Sequence, residues 1–175
     1  MSNIDKHIHE GKIMLYRGKF EEAIKSFKKA TILNPQNPET ALNLAKAYNH
    51  SNQPEKTIDS LICAAEASEN PKYRCILAEQ YKRYNDFKSS VYESYEVLSK
   101  HPRNARSMVN IGEIFLMGGE IDLAIPQFAI AIQIGDDKKY VRKACDDIKL
   151  VCLKKKKYFM AFKYFIKKVR HYFPT

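Results

Sequence analysis

Four cysteines are all the chain has, Cys63, Cys75, Cys145 and Cys152, and no two of them form a C-x-x-C pair. That spacing excludes the usual zinc and redox signatures. At positions expected to be helical, cysteine serves as a small buried hydrophobe, and unpaired thiols suit the cytoplasm. Glycine is scarce too. The six, at 11, 18, 112, 118, 119 and 135, fall at helix crossings or turns, which leaves none for a phosphate-wrapping loop. No apolar run approaches the roughly 18 residues of a membrane span, and the opening MSNIDKHIHEGK has no apolar signal core. The expectation is a cytoplasmic protein, at most peripheral to a membrane. The sequon Asn49-His50-Ser51 would matter only in a secreted chain.

Convergent chemistry is also missing. His7 and His9 lie two apart, which on a helix points them to different faces. His50, His101 and His171 stand at predicted helix ends, where the helix dipole favours a cation, and the same dipole accounts for Glu21-Glu22 and Asp136-Asp137 at helix starts or turns. No nucleophile, base and orienting group come together. No catalytic residue, metal ligand or cofactor is therefore assigned, and the protein is expected not to be an enzyme.

What the chain does have is a packed, soluble composition. Hydrophobic residues at 45% and charged residues at 29% exclude intrinsic disorder. A chain of 175 residues is one domain by length and leaves no room for a separate catalytic domain. Within it small residues recur at a fixed period. Gly11, Ala45, Ala78 and Gly112 are spaced 34, 33 and 34 apart. At matching offsets in each copy follow Ala23, Thr57, Ser90 and Ala124, then Phe27, Leu61, Ser94 and Phe128, then Ala30, Ala64, Val97 and Ala131. Small side chains belong where two helices cross, and large ones fill the space beside the crossing. The period is thus held at two separate packing points, and a unit of this length buries its faces only by stacking on neighbours.

This pattern resembles the tetratricopeptide repeat, a 34-residue helix-turn-helix with Leu-Gly, aromatic, Ala, Phe, Ala and Pro at fixed offsets. The resemblance implies an all-α, right-handed α-solenoid of about five repeats over residues 1–175. The repeats are placed at 4–37, 38–70, 71–104 and 105–138, with a degenerate basic fifth repeat or cap at 139–175 that carries about three extra residues. Residues 4–37 match through Gly11, Ala23, Phe27, Ala30 and Pro35, and residues 105–138 through Ile111-Gly112, Phe115, Ala124, Phe128 and Ala131. The second copy keeps Leu44-Ala45, Tyr48 and Ala64; the third keeps Leu77-Ala78, Tyr81 and Pro102 but has Ser94 where an aromatic is usual. Pro35, Pro38, Pro54, Pro71 and Pro102 fall at turns or first helical turns. Pro126, well inside a helix, predicts a mild kink rather than a break.

The resemblance also implies a binding groove lined by the first helix of each hairpin. By the family's pattern it is faced by Asp5, Ile8, Lys12, Leu15 and Tyr16, then Glu39, Leu42, Lys46, Asn49 and His50. Lys72, Cys75, Glu79, Lys82 and Arg83 follow, then Arg106, Val109, Glu113, Leu116 and Met117. Apolar anchors among both charges suit a peptide of a partner protein. Members that clamp chaperone tails use a Lys/Asn/Asn/Lys/Arg set. Here Asn43 and Lys72 match it, while Ile8, Lys12 and Ile76 do not, which argues against such a ligand.

Charge is distributed unevenly. Residues 138–175 hold 13 Lys and Arg against Asp146 and Asp147, a net of +11, while residues 1–137 hold 17 against 18, a net of −1. Lys154, Lys155, Lys156, Lys157, Lys167, Lys168 and Arg170 are interleaved there with aromatics such as Tyr158, Phe162 and Phe165. A solubilising cap explains the charge. Basic residues among aromatics also suit an anionic membrane, an acidic partner or a second copy. The leading reading is a protein-interaction scaffold. The alternatives are a self-assembling scaffold docked on an anionic membrane through the basic end and, disfavoured by the near-neutral first 137 residues, nucleic-acid binding.

Overall fold

The start of each element can be traced to its capping residues. In the computed structural model, which describes residues 2–154, Ser2 and Asp5 form a reciprocal capping box that opens α1 (Asn3–Tyr16). Asn37 Oδ1 accepts from the Glu39 and Thr40 amides at 3.0 and 3.1 Å to open α3 (Pro38–His50). Asn70 does the same with Lys72 at 3.0 Å for α5 (Pro71–Arg83), and Asn104 with Ser107 at 2.9 Å for α7 (Ala105–Met117). Each such bond satisfies an amide that the helix leaves without an internal partner. Pro38 and Pro71 occupy first-turn positions where no amide hydrogen is needed.

The second helices begin differently, directly out of a tight turn. Before α2 (Phe20–Leu33), α4 (Pro54–Glu66), α6 (Phe87–Lys100) and α8 (Ile121–Ile134), one residue takes a left-handed conformation: Gly18, Asn52, Asn85 and Gly119, at φ 73°, 54°, 62° and 78°. The following amide then reaches back across the turn, Lys19 to Met14, Gln53 to Tyr48, Asp86 to Tyr81 and Glu120 to Phe115, at 2.8–3.0 Å. This is the Schellman closure, and only Gly or Asn enters its left-handed position at little cost. The four turn residues are spaced 34, 33 and 34 apart, like the crossing residues. With α9 (Lys138–Lys154), nine α-helices and no strand make up the described residues, which is an all-α helical-repeat fold. The tenth expected helix lies outside them.

Two compact units divide the chain, Met1–Ser89 and Ser90–Thr175. In the first, α1 packs on α2, α2 on α3, α3 on α4 and α4 on α5. Phe27 is fully buried against Gly11, where an added Cβ would lie 2.6 Å from its ring. At the equivalent crossing of α3 and α4, Ala45 shares a core with Leu61. The smaller Leu leaves room for the methyl group that Phe would exclude.

In the second unit α7 packs on α8 and both meet α9. Gly112 repeats the arrangement of Gly11, with its would-be Cβ 2.7 Å from the Phe128 ring. α8 continues through Pro126 without a break. Ser94, in place of the usual aromatic, is fully buried and polar contacts surround it. Asn110 Nδ2 donates to Ser90 Oγ and Ser94 Oγ at 2.9 Å each, and Ser94 Oγ donates to the Ser90 carbonyl at 2.9 Å. A buried polar group needs such partners to offset its desolvation. Here the sequence exchanges an aromatic plug for a hydrogen-bonded cluster.

Candidate functional site

On α3, Leu42, Ala45, Lys46 and Asn49 recur at steps that keep them on one helical face, and on α5 Ile76, Gln80 and Arg83 do the same. In the first unit these two faces border one cleft of about 280 Å³, completed by Thr57 and Leu61 of α4. Its base is apolar and packed, with Leu42 and Leu61 each 2% exposed. Its polar side is tied together across helices. Asn49 Oδ1 accepts from Gln80 Nε2 at 2.9 Å and from the Tyr84 hydroxyl at 3.2 Å. Lys46 and Arg83 are exposed beside it.

Of the residues expected to face a groove, Leu42, Lys46, Asn49 and Arg83 are thus brought together. Others lie apart from this cleft. Lys12 is exposed on α1, Leu15 is half-buried against the Phe27 core, and Tyr16 is 94% exposed at the end of α1. Lys72 pairs with Glu39 at 3.5 Å and lies over the Tyr73 ring, and Lys82 is half-buried on α5. Asn43 is 3% exposed; neither it nor Lys72, the two residues matching a chaperone-tail clamp, lines the cleft.

In the second unit, the Arg106 guanidinium sits 5.4 Å from the centre of the Tyr140 ring, and Glu113 Oε1 meets Lys143 Nζ at 2.6 Å. Asp136, read from sequence as a turn residue near a helix dipole, has a longer reach. Its carboxylate accepts from the Ala105 amide at 3.2 and 3.4 Å, which ties the start of α7 to the end of α8. Of the basic end, Lys154 closes α9, and Lys155, Lys156, Lys157, Lys167, Lys168 and Arg170 lie outside the described residues.

Gln80, Tyr84 and Ile76 were not among the expected binding residues. The repeat gave no signal for the first, since the equivalent of Lys46 in the next copy is Glu79 and Gln80 stands one place beyond it. Elsewhere, burial pushes the Cys145 thiol up from its ordinary pKa, helped by the neighbouring Asp146 carboxylate. Such a thiol is a poor nucleophile.

The model of the TPR repeat family matches residues 11–49. Among solved structures, MamA is similar at 25% identity with a TM-score of 0.71, over 92% of this chain and 92% of that one. PilF of Pseudomonas aeruginosa is similar at 17% identity with a TM-score of 0.69, over 93% and 73% of the two chains. YrrB, described as a TPR protein with an unusual peptide-binding site, is similar at 19% identity with a TM-score of 0.63, over 79% and 72%. No curated protein sequence matches the chain.

Proposed function

We propose that this chain, similar to tetratricopeptide-repeat proteins in fold and over residues 11–49 in sequence, works as a non-enzymatic adaptor that holds a peptide segment of a partner protein against the first helices of its hairpins. The observation that carries this reading is the cleft between α3 and α5. There exposed cations and an oriented amide border an apolar base, the mixture of anchor and handle by which grooves bind peptides. The fold it shares with YrrB, which has a peptide-binding site, is compatible with such use. The cytoplasm is the proposed setting, where a thiol such as the exposed Cys63 keeps its reduced form.

A photo-cross-linking residue at Lys46 should become attached to a partner peptide in the native cell, and the same residue at Tyr92, 61% exposed on α6, should not. Cross-links confined to position 92 would place partner binding on other surfaces.

A second reading rests on the +11 charge of residues 138–175. By it, Lys154–Lys157 and their neighbours hold the protein on an anionic membrane or an acidic partner, each cation near such a bilayer contributing about 1 kcal/mol. Changing Lys154, Lys155, Lys156 and Lys157 to Glu should then release the protein from anionic vesicles in a sedimentation assay. Equal sedimentation of parent and variant would remove this reading.

A further inference from the structure

Resting on the adaptor reading, we infer that the cleft between α3 and α5 selects an acidic peptide segment, in which an internal Asp or Glu side chain lies next to an aliphatic residue. Three observations about the lining converge on that ligand.

The first is the sign of the charge. Lys46 and Arg83 approach the cleft from different helices, no carboxylate lines it, and neither cation has an ionic partner among the described residues. Other cations of the same unit are paired, Lys72 with Glu39 at 3.5 Å and Lys19 with Glu22 at 3.1 Å. An incoming carboxylate would therefore meet two positive charges without displacing an existing anion. Arg83 in particular offers the planar donor pair that fits a carboxylate.

The second is the direction of the Asn49 amide. Its oxygen already accepts from Gln80 Nε2 at 2.9 Å and from the Tyr84 hydroxyl at 3.2 Å. An amide oxygen has two lone pairs, so these two donors occupy its accepting capacity. The amide nitrogen makes no hydrogen bond among the described residues, which leaves Asn49 as a donor to a ligand. A neutral amide that would otherwise accept either kind of ligand group is thus set to favour an acceptor. Gln80 and Tyr84 act as positioning residues for it.

The third is the base and its size. Ile76, half-buried and backed by the packed Leu42 and Leu61, presents aliphatic surface beneath the charged edge, and at about 280 Å³ the cleft is near the small end for ligand sites. It holds one or two side chains of an extended peptide rather than a helix. The half-buried Ile76 flanks the charged edge, so the side chain next to the carboxylate is aliphatic.

The test is fluorescence anisotropy with the full chain and four labelled peptides of equal length. One carries an internal Glu-Leu pair and an amidated end. The second has Gln for Glu, the third has Ser for Leu, and the fourth has the Gln sequence with a free C-terminal carboxylate. The Glu-Leu peptide should bind, and the second and third should each bind roughly tenfold or more weakly, the size of a lost charge-assisted bond or buried aliphatic side chain. Lys46→Glu with Arg83→Glu should reverse the preference, binding a fifth peptide, with Lys in place of Glu, better than Glu-Leu. Reversal cannot arise from unfolding, and circular dichroism of the variant should match the parent. Equal binding of Glu and Gln peptides, strongest binding of the free C-terminus, or no binding of any peptide overturns the selectivity. The adaptor reading fails separately, through the cross-link at Lys46. A partner cross-linked there with no acidic residue near the linked position keeps the adaptor and removes the acidic ligand.

Discussion

Lys46 and Glu113 occupy the same place in the first helices of their hairpins, yet their surroundings differ. Lys46 borders an open cleft in the first unit, while Glu113 in the second is held by Lys143 of α9 at 2.6 Å. The contrast extends to their neighbours. Asn49 is oriented by Gln80 and Tyr84, whereas Leu116, at its equivalent place, packs into the core with Tyr140 and Ile148. The backbone repeats and its side-chain partners do not. A position that the fold repeats borders an open cleft only where the side chains packed beside it do not close over it.

The largest effect that would sharpen this contrast is on binding. Lys46→Glu with Arg83→Glu should weaken a Glu-Leu peptide by about a hundredfold, the combined size of two charge-assisted contacts. Glu113→Lys should leave that affinity unchanged. Anisotropy titrations of both variants check it, and a loss of similar size from Glu113→Lys would dissolve the distinction between the units.

Next come the helix crossings, where the two units should behave alike. Gly11→Ala and Gly112→Ala each drive a methyl group to within 2.6–2.7 Å of a buried Phe ring. Each should lower stability by about 1–3 kcal/mol through overpacking, seen as a lower urea midpoint. A neutral result at one crossing alone would mean that the framework itself differs between units.

Asn110→Ala should cost a comparable or slightly smaller ~1–3 kcal/mol, because it leaves the buried Ser90 and Ser94 hydroxyls without their shared donor. Gln80→Ala is its counterpart in the first unit, with a different outcome. Stability should fall by about 0.5–1.5 kcal/mol for the lost hydrogen bond, and the preference for Glu over Gln peptides should narrow as Asn49 loses its orientation. A stability loss with no change in preference would leave Gln80 a purely structural residue.

The smallest change is expected from Glu113→Gln. Lys143 is 45% exposed and solvent screens the pair, so the cost should be ~0–1 kcal/mol and shrink with added salt.

The framework was largely legible because it depends on local size and local turn chemistry. Gly11, Ala45 and Gly112 recur as small residues at the repeat period, and the structure supplies their partners, Phe27 and Phe128 against the glycines and the smaller Leu61 in the core with Ala45. Pro38 and Pro71 marked helix starts, since a missing amide hydrogen is tolerated only there. For the surface, the resemblance named residues and the structure placed them: Leu42, Lys46, Asn49 and Arg83 line one cleft. Lys12, Tyr16 and Lys72, named by the same resemblance, do not line that cleft, because an exposed or ion-paired position has the same sequence signature as a cleft position.

What the sequence by itself determined, then, is the repeated hairpin: its period, its crossings and its turns, all set by residues that act within one unit of the repeat. Which of the repeated surface positions stay available for a ligand was decided only by the tertiary structure. Asn49 receives its bonds from residues 31 and 35 positions away, and Glu113 its cation from α9. Such pairings depend on how one helix rests on the next and on which way a long side chain turns. Neither is written in the spacing of residues along a single helix.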